Sequence, residues 1–367
     1  MSNAAAPCAA AGLWGRPGLH QGRASVTLED VAREAGVHYS TVSRALDPNK
    51  AWRVNRETRA HVEKVARRLG YQRDVMASGL KRGRSQFIGV VVGDLTNVNT
   101  PPVLRGIASG LEAAGAMALI CETQDDSERL QRVVRQLIAR RVDGLVISAA
   151  RLGDAHLLRQ LRRMGIPVVL AIQGVPGVRL PVCAYDDYLG GKLAAEHLIG
   201  LGHRRLAQLR GPDDINSCAQ RAAGYSRAIA DAGATEIPVR ATAPIGSPED
   251  GRRLMFELLR RKGAMPTGIF VHHDAMAFGV LQLARERGLS APRDFSIVGY
   301  YDVRDAELSA PALTSIRVPR EDLGRAAAET MLELMASPGQ RPGARKLQPT
   351  VVVRESTGPP PVRKSMA

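Results

Sequence analysis

From Gln86 onward the chain alternates short, continuous apolar runs with helical patterns, and it does so twice over. "FIGVVVGDL", "MALICET", "DGLVISA" and "PVVLAI" are runs of the kind that sit in a parallel sheet buried on both faces. Helical patterns around "VLRGIASGLEAAG", "SERLQRVVRQLIARR" and "DAHLLRQLRRMG" separate them. The alternation then repeats: "RLAQLRG", "GIFVHHD" and "FSIVGYYD" alternate with helices around "GGKLAAEHLIGLG", "NSCAQRAAGYSRAIADAG", "PEDGRRLMFELLRRKG" and "AMAFGVLQLARERG". This predicts an α/β core of two doubly wound parallel-sheet lobes. Ligands of such sheets bind beyond the carboxyl ends of the strands, so a cleft between the lobes is the expected site.

Ahead of the core, "VTLEDVAREAGVHYSTVSRAL" reads as two helices around a glycine turn. Leu28, Val31, Ala32 and Ala35 form one apolar stripe, and Thr27 with Asp30 three residues on forms a capping box. Gly36 ends the first helix. The second starts near Tyr39, turns Val42, Ala45 and Leu46 inward, and exposes Tyr39, Ser40, Thr41, Ser43 and Arg44. A third helix runs through "VNRETRAHVEKVARRLGY", with Asn55 as N-cap and Gly70 as stop. A small all-α module of helix, tight turn and helix is the geometry that sets a second helix in a DNA major groove. Residues 26–86 hold 13 Lys/Arg against 7 Asp/Glu, an excess suited to a phosphate backbone.

The 367 residues carry a formal charge of +15 and a pI near 10.3, which makes a polyanion a plausible partner. No apolar run reaches the roughly 18 residues that span a bilayer. Residues 1–25 have no basic n-region and are broken by Pro7, Gly12, Gly15 and Pro17, so they read as a disordered leader, a misassigned start or in part a cloning remnant, not a signal peptide. Cys8, Cys121, Cys183 and Cys218 lack metal-ligand spacing and fit reduced thiols of a cytoplasmic protein. "VHHD" does not make a metal site, because adjacent strand residues point to opposite faces. No glycine-rich phosphate fingerprint, Walker motif or nucleophile elbow appears, which argues against an enzyme and against a cofactor.

Taken in order, "VTLEDVAREAGVHYSTVSRAL", "RRLGYQRDVMASGLKRGRS", "IGVVVGDLTN", "RRVDGLVIS", "GIPVVL", "EHLIGLGHRRLAQLRGP", "RAAGY", "HDAMAFGVL", "FSIVGYYD" and "LTSIRVPREDLG" resemble the lactose-repressor (LacI/GalR) family of bacterial transcription regulators over roughly residues 26–357. The resemblance implies a homodimer on a near-palindromic double-stranded DNA operator, switched by a small-molecule effector in a core like that of periplasmic sugar-binding proteins. It divides the chain into a helix-turn-helix domain at 26–72, a connector at 73–84, a core at 85–357 and a disordered tail at 358–367. The chain is expected to cross between lobes near Tyr185, Ser315 and Gly339, giving one lobe from 85–184 and 316–339 and the other from 185–315 and 340–357. With no heptad run beyond Met335, a dimer is favoured.

By its planar fork Arg44 is the best reader of guanine O6 and N7, with a phosphate contact as the alternative. The resemblance puts Tyr39, Ser40 and Arg44 at base-reading positions and Thr41 and Ser43 near the backbone, and Thr27 joins this surface. His38 stands where the family usually has Ser, and it should cap poorly unless it meets phosphate. In the connector, the resemblance puts Leu80, flanked by Ala77 and Lys81, at the position of a wedge that kinks the minor groove, with a flexible linker and Leu80 packed on the core as the alternative. Gly79 should disfavour helix there.

For the effector, the resemblance lines the cleft with residues 97–100, including Asn97 and Asn99, and with Ser148 to Arg151, Asp187, Arg221, His273, Asp274, Tyr301 and Asp302. Arg221, in "RAAGY", matches an arginine that bonds ligand oxygens. His273-Asp274 and Tyr301-Asp302 replace the Asn-Asp and Asp-Asp of many sugar binders. Arg151, Arg221 and His273 therefore raise a sugar acid or small carboxylate beside a neutral sugar, unless some of them pair with Asp187 or Asp302. A solute receptor is disfavoured by the basic N-terminal module; an activator or architectural DNA binder remains the alternative to a repressor.

Overall fold

The computed structural model describes residues 26–47, 50–71, 85–263, 265–337, 339 and 342–361. Cys8 and the leader, the connector with Ala77, Leu80 and Lys81, and residues 362–367 of the expected tail lie outside them. The chain divides into two compact units, 1–83 and 84–367.

The first unit packs α1 (Leu28–Glu34), α2 (Tyr39–Ala45) and α3 (Arg56–Leu69) around Val31, Val42, Val62 and Val65. Thr27 and Asp30 close their capping box, and the hydrogen bonds from Thr27 hold the Asp30 carboxyl below its usual range. Gly36 and Gly70 take left-handed backbone at φ +64° and +69°, which a Cβ would penalise. His38 departs from the expectation of a poor cap. Its Nδ1 accepts the Ser40 N–H at 3.3 Å, so the ring nitrogen serves where an oxygen usually does.

In the second unit, β1 (Phe87–Val92), β2 (Met117–Glu122), β3 (Gly144–Ile147), β4 (Val168–Ile172) and β5 (Val182–Tyr185) form one sheet with the late strand β11 (Arg345–Leu347), in the order β11-β5-β4-β3-β1-β2. It is parallel throughout, with Val90 opposite both Ile120 and Val146. The helices α4 (Thr100–Ala113), α5 (Ser127–Ala139) and α6 (Ala155–Arg163) connect its strands. The second sheet contains β6 (Arg205–Leu209), β7 (Thr235–Glu236), β8 (Gly268–Val271), β9 (Ser296–Tyr301), β10 (Thr314–Arg317) and β12 (Thr350–Val352), in the order β12-β10-β9-β8-β6-β7. Only its edge strand β12 runs antiparallel, against β10. Around it lie α7 (Asp187–Gly200), α8 (Asn216–Asp231), α9 (Pro248–Leu259), α10 (Asp274–Glu286) and the short α11 (Asp305–Leu308), while α12 (Arg320–Ala336) returns to pack on α4.

Strand β10 continues through Ile316 and Arg317, pairing Arg317 with Tyr301, so the chain leaves the second lobe just past Arg317. One crossing falls later than expected. The third crossing lies after Leu347 and not near Gly339. Residues 345–347 pair with Cys183–Tyr185, and Arg345 bonds Glu329 and Glu333 on α12, which holds this segment to the first lobe. The second lobe also extends past 357, because Gly358 bonds Ser296 and His203 and so is not part of a free tail.

Candidate nucleic-acid interface and effector cleft

On α2 the burial pattern separates two faces. Val42 and Ala45 are buried, whereas Tyr39, Ser43 and Arg44 are exposed and Ser40 and Thr41 half-buried. Arg44 makes no ion pair among the described residues, so its guanidinium keeps its donors. The Tyr39 ring sits 4.6 Å from the His38 ring, and Ser40 Oγ lies 2.9 Å from His38 Nδ1. Thr27 is exposed, but its hydroxyl is committed to Asp30 at 2.7 Å.

Between the lobes a cavity of about 90 Å³ is lined from the first lobe by Asp94, Asn97, Asn99, Thr100, Asp125, Ser148, Arg151, Ile172 and Gln173, and from the second by Pro212, Ile215, Ser217, Cys218, Pro244, Ile245, His273 and Tyr301. Strand ends and the loops after them supply these residues, as the topology requires. The two walls touch directly. Arg151 Nη1 meets Asp214 at 2.7 Å, Leu152 N donates to Asp214 O at 3.0 Å, and Ser217 N donates to Gln173 Oε1 at 3.1 Å. Two buried polar atoms of the first-lobe wall, Asn99 Oδ1 and Arg151 Nε, have no partner among the described residues. Ile172 at φ +70° and Tyr301 at φ +102° hold left-handed backbone on opposite walls, a cost of roughly 1–3 kcal/mol each that tends to gather at binding sites.

Four of the residues expected in the cleft stand behind its wall. Arg221 is fully buried; its Nε donates to Asp187 Oδ1 at 2.7 Å, Nη1 to His272 O at 2.7 Å and Nη2 to Tyr301 Oη at 2.8 Å. Its Cζ lies 3.9 Å from the centre of the Tyr300 ring, and Tyr300 Oη donates to the same Asp187 oxygen. Burial raises the Asp187 carboxyl, against the pull of Arg221 and Tyr300. The crossing of α7 and α8 sets up this pairing: a Cβ on Gly191 would lie 2.0 Å from Arg221 O and one on Gly224 1.9 Å from Tyr188 O, so only glycines allow the contact. The "RAAGY" motif is thereby a packing device as well as a source of charge. Asp274 accepts from Ser315 Oγ at 2.7 Å and from Val303 N at 2.9 Å, and burial pushes its carboxyl up to about 7. Asp302, at φ +52°, is held by Arg317 at 2.6 Å and Arg354 at 2.7 Å.

The cations invoked for an anionic ligand are therefore committed elsewhere. Burial, reinforced by Arg221, lowers His273 to about 3, so its ring is neutral. Arg151 is shared between Asp214 and Asp125, the latter at 3.7 Å. His272 accepts from Gly211 N and contacts Gln208 on the far side of the strand, and no group of acidic, His or Cys side chains able to hold a metal occurs among the described residues.

Residues 27–74 match the profile of bacterial regulatory proteins of the lacI family, and residues 195–357 that of a periplasmic binding protein-like domain. Over 334 residues the chain is 31% identical to the HTH-type transcriptional repressor CytR of Escherichia coli strain K12, covering 91% of this chain and 96% of that protein. The chain belongs to the lacI family of bacterial regulatory proteins. Its structure is similar to that of the lac repressor dimer bound to operator and the anti-inducer ONPF, with a TM-score of 0.83, 29% identity, and coverage of 91% of this chain and 100% of that one. It also resembles the transcriptional regulator CelR in complex with cellobiose, with a TM-score of 0.69, 28% identity, and coverage of 90% and 99%. As a LacI-family repressor the protein binds operator DNA and an effector, and the family is one of regulators and not of enzymes. Among its described residues no helix is long and apolar enough to cross a membrane.

Several lining residues of this LacI-family cleft escaped sequence reasoning: Asp94, Asp125, Gln173, Ile215, Cys218 and Ile245. Asp94 follows the first strand in "VVVGDL", Asp125 the second in "ICETQDD" and Gln173 the fourth in "PVVLAIQG"; their position just after a strand was a usable signal. Ile215, Cys218 and Ile245 lie on the second-lobe side, in the loop and helix start after β6 and in the segment before α9.

Proposed function

We propose that this LacI-family repressor works in the cytoplasm as a homodimer, reads a near-palindromic operator with Arg44 and Tyr39 of α2, and answers to a small uncharged, hydroxyl-bearing effector in the inter-lobe cleft. The observation that carries the effector class is the pair of uncommitted atoms on the first-lobe wall. Asn99 Oδ1 can accept and Arg151 Nε–H can donate, the two halves of what a hydroxyl offers. A carboxylate would instead have to displace Asp214 from Arg151, at the expense of a lobe contact. The cellobiose named with CelR agrees with that class. For the second subunit, the groove of about 350 Å³ bearing Phe278, Leu281 and the 70% exposed Leu308 offers an apolar face on the second lobe.

The test is a thermal-shift screen of the whole protein against neutral sugars, sugar acids and small carboxylates, followed by operator binding with the best compound. A neutral compound should raise Tm and change operator affinity; a response confined to acids overturns the effector class. In the same binding assay Arg44→Ala should lose roughly 1–3 kcal/mol on the operator and relax preference at one base pair per half-site. An unchanged preferred sequence would reduce Arg44 to a phosphate contact.

A further inference from the structure

Some arginines on the surface of this core are paired with carboxylates, and others are not. Arg227 bonds Asp231, Arg252 bonds Glu286, Arg325 bonds Asp322, and Arg345 bonds Glu329 and Glu333. One edge of the first lobe gathers several arginines of the second kind and no acidic neighbour on their helix. Arg159, Arg162 and Arg163 on α6, with Arg140 and Arg141 just past α5, meet no carboxylate among the described residues. Helix α6, "AHLLRQLRR", contains no acidic residue. His156 and its three arginines line a surface groove of about 550 Å³, and Arg140, Arg141, Arg159 and Arg163 are exposed.

Topology gathers these groups at one place. In a parallel α/β sheet the connecting helices run back against the strands, so α5 and α6 end where the strands begin. Hydrogen bonds mark that edge: Asp143 N donates to Phe87 O at 2.8 Å, and Leu145 N donates to Pro167 O at 2.9 Å. The carboxylate of Asp143 is spent on Ser85 and Gln86, which leaves the arginines without a local counter-charge from it. Ser85 is also where the chain arrives from the DNA-binding helices. The thirteen residues 72–84 can stretch at most about 45 Å, so DNA gripped by α2 is kept at high effective concentration for groups on this edge.

We propose that this arginine edge is a second, sequence-independent contact to DNA, made to the phosphate backbone flanking the operator. Protein partners are anchored by a desolvated apolar or aromatic centre, and the lining of this groove is wholly basic; phosphates ask only for positive charge. The proposal rests on operator binding by α2 and adds a contact that α2 cannot make.

The experiment measures binding of the full chain to two fluorescent duplexes between 50 and 200 mM salt. One holds only the operator selected from a random pool; the other adds about twenty base pairs on each side. The wild-type protein should show a steeper salt dependence on the longer duplex. The variant Arg159→Ser/Arg162→Ser/Arg163→Ser should lose about 0.9 of log–log slope per phosphate contact removed and roughly tenfold in affinity on the longer duplex, with short-duplex affinity and base preference unchanged. Equal slopes on the two duplexes, or a triple variant that keeps the wild-type slope, overturn the proposal and leave the arginines to an acidic protein or to solvent. A wild-type protein that selects no operator at all would overturn the α2 reading, and this one with it.

Discussion

On the first-lobe wall of the cleft, Asn99 and Arg151 keep polar atoms uncommitted, whereas on the second-lobe side Asp187 and Arg221 turn theirs to each other, to Tyr300, Tyr301 and the His272 carbonyl, and Asp274 turns its own to Ser315 and the Val303 N–H. Both sets contain charges of the kind that a reader of the sequence assigns to a ligand. The difference is one of satisfaction. A buried charge that already holds its full complement of partners stabilises the wall, and the same charge left partly bonded is what recognises a guest. In the second lobe the satisfied network also pins Tyr301 and Asp302 in left-handed backbone, so its work is to hold a costly strand end in place.

This contrast breaks most sharply at Arg221. Arg221→Met would strand Asp187 without its partner, and removing one member of a buried pair costs about 3–5 kcal/mol of core stability. Urea unfolding should show that loss, and Arg221→Met/Asp187→Leu should recover most of it. A single variant as stable as wild type that had lost only its ligand would place Arg221 in the recognition set after all.

A smaller effect comes from His273. Its pKa in the folded protein, about 3, lies below the ordinary 6.5, so it contributes stability above pH 6.5 that fades as acid protonates the unfolded chain. Between pH 7.5 and 5.5 that contribution falls by about 1 kcal/mol. His272 acts in the same direction, and Asp274, raised to about 7, acts in the opposite one. His273→Gln should therefore flatten the pH dependence of unfolding by about that 1 kcal/mol relative to wild type, and parallel curves would mean that the ring is charged in the fold.

The smallest change sharpens the comparison from the first-lobe side. Arg151 and Asp214 are 17% and 52% exposed, so Asp214→Asn should alter stability by less than about 1 kcal/mol. Its consequence is chemical. With Arg151 released, calorimetry should find small carboxylates binding severalfold more tightly than to wild type, while neutral ligands are little affected. If carboxylates gain nothing, Asp214 is not what excludes them.

Local physics was legible in the sequence. The Thr27–Asp30 box, the Gly70 stop and the "FIGVVV" strand are each decided by a handful of neighbouring residues. Strands β5, β10, β11 and β12 were not, since runs of three or four residues such as "RKL" become strands only through the partner that accepts them. The same limit applied to the site. "RAAGY" announces an arginine that matters, yet the side toward which it points depends on Gly191 meeting α8, 30 residues away from Arg221 in the chain. His273 looks like a cation until burial decides otherwise.

The division between a bonded interior and an open lining bears on how such a regulator changes its effector. Exposed Ile245 and half-buried Asn97 and Ile215 contact the cleft without belonging to the Arg221 network, so substitutions there should be tolerated as ordinary surface changes are. A lineage, or a laboratory library, can therefore rewrite this lining one residue at a time and pass only through folded intermediates. Libraries spread over Asp187, Arg221 and Asp274 would instead yield mostly insoluble clones.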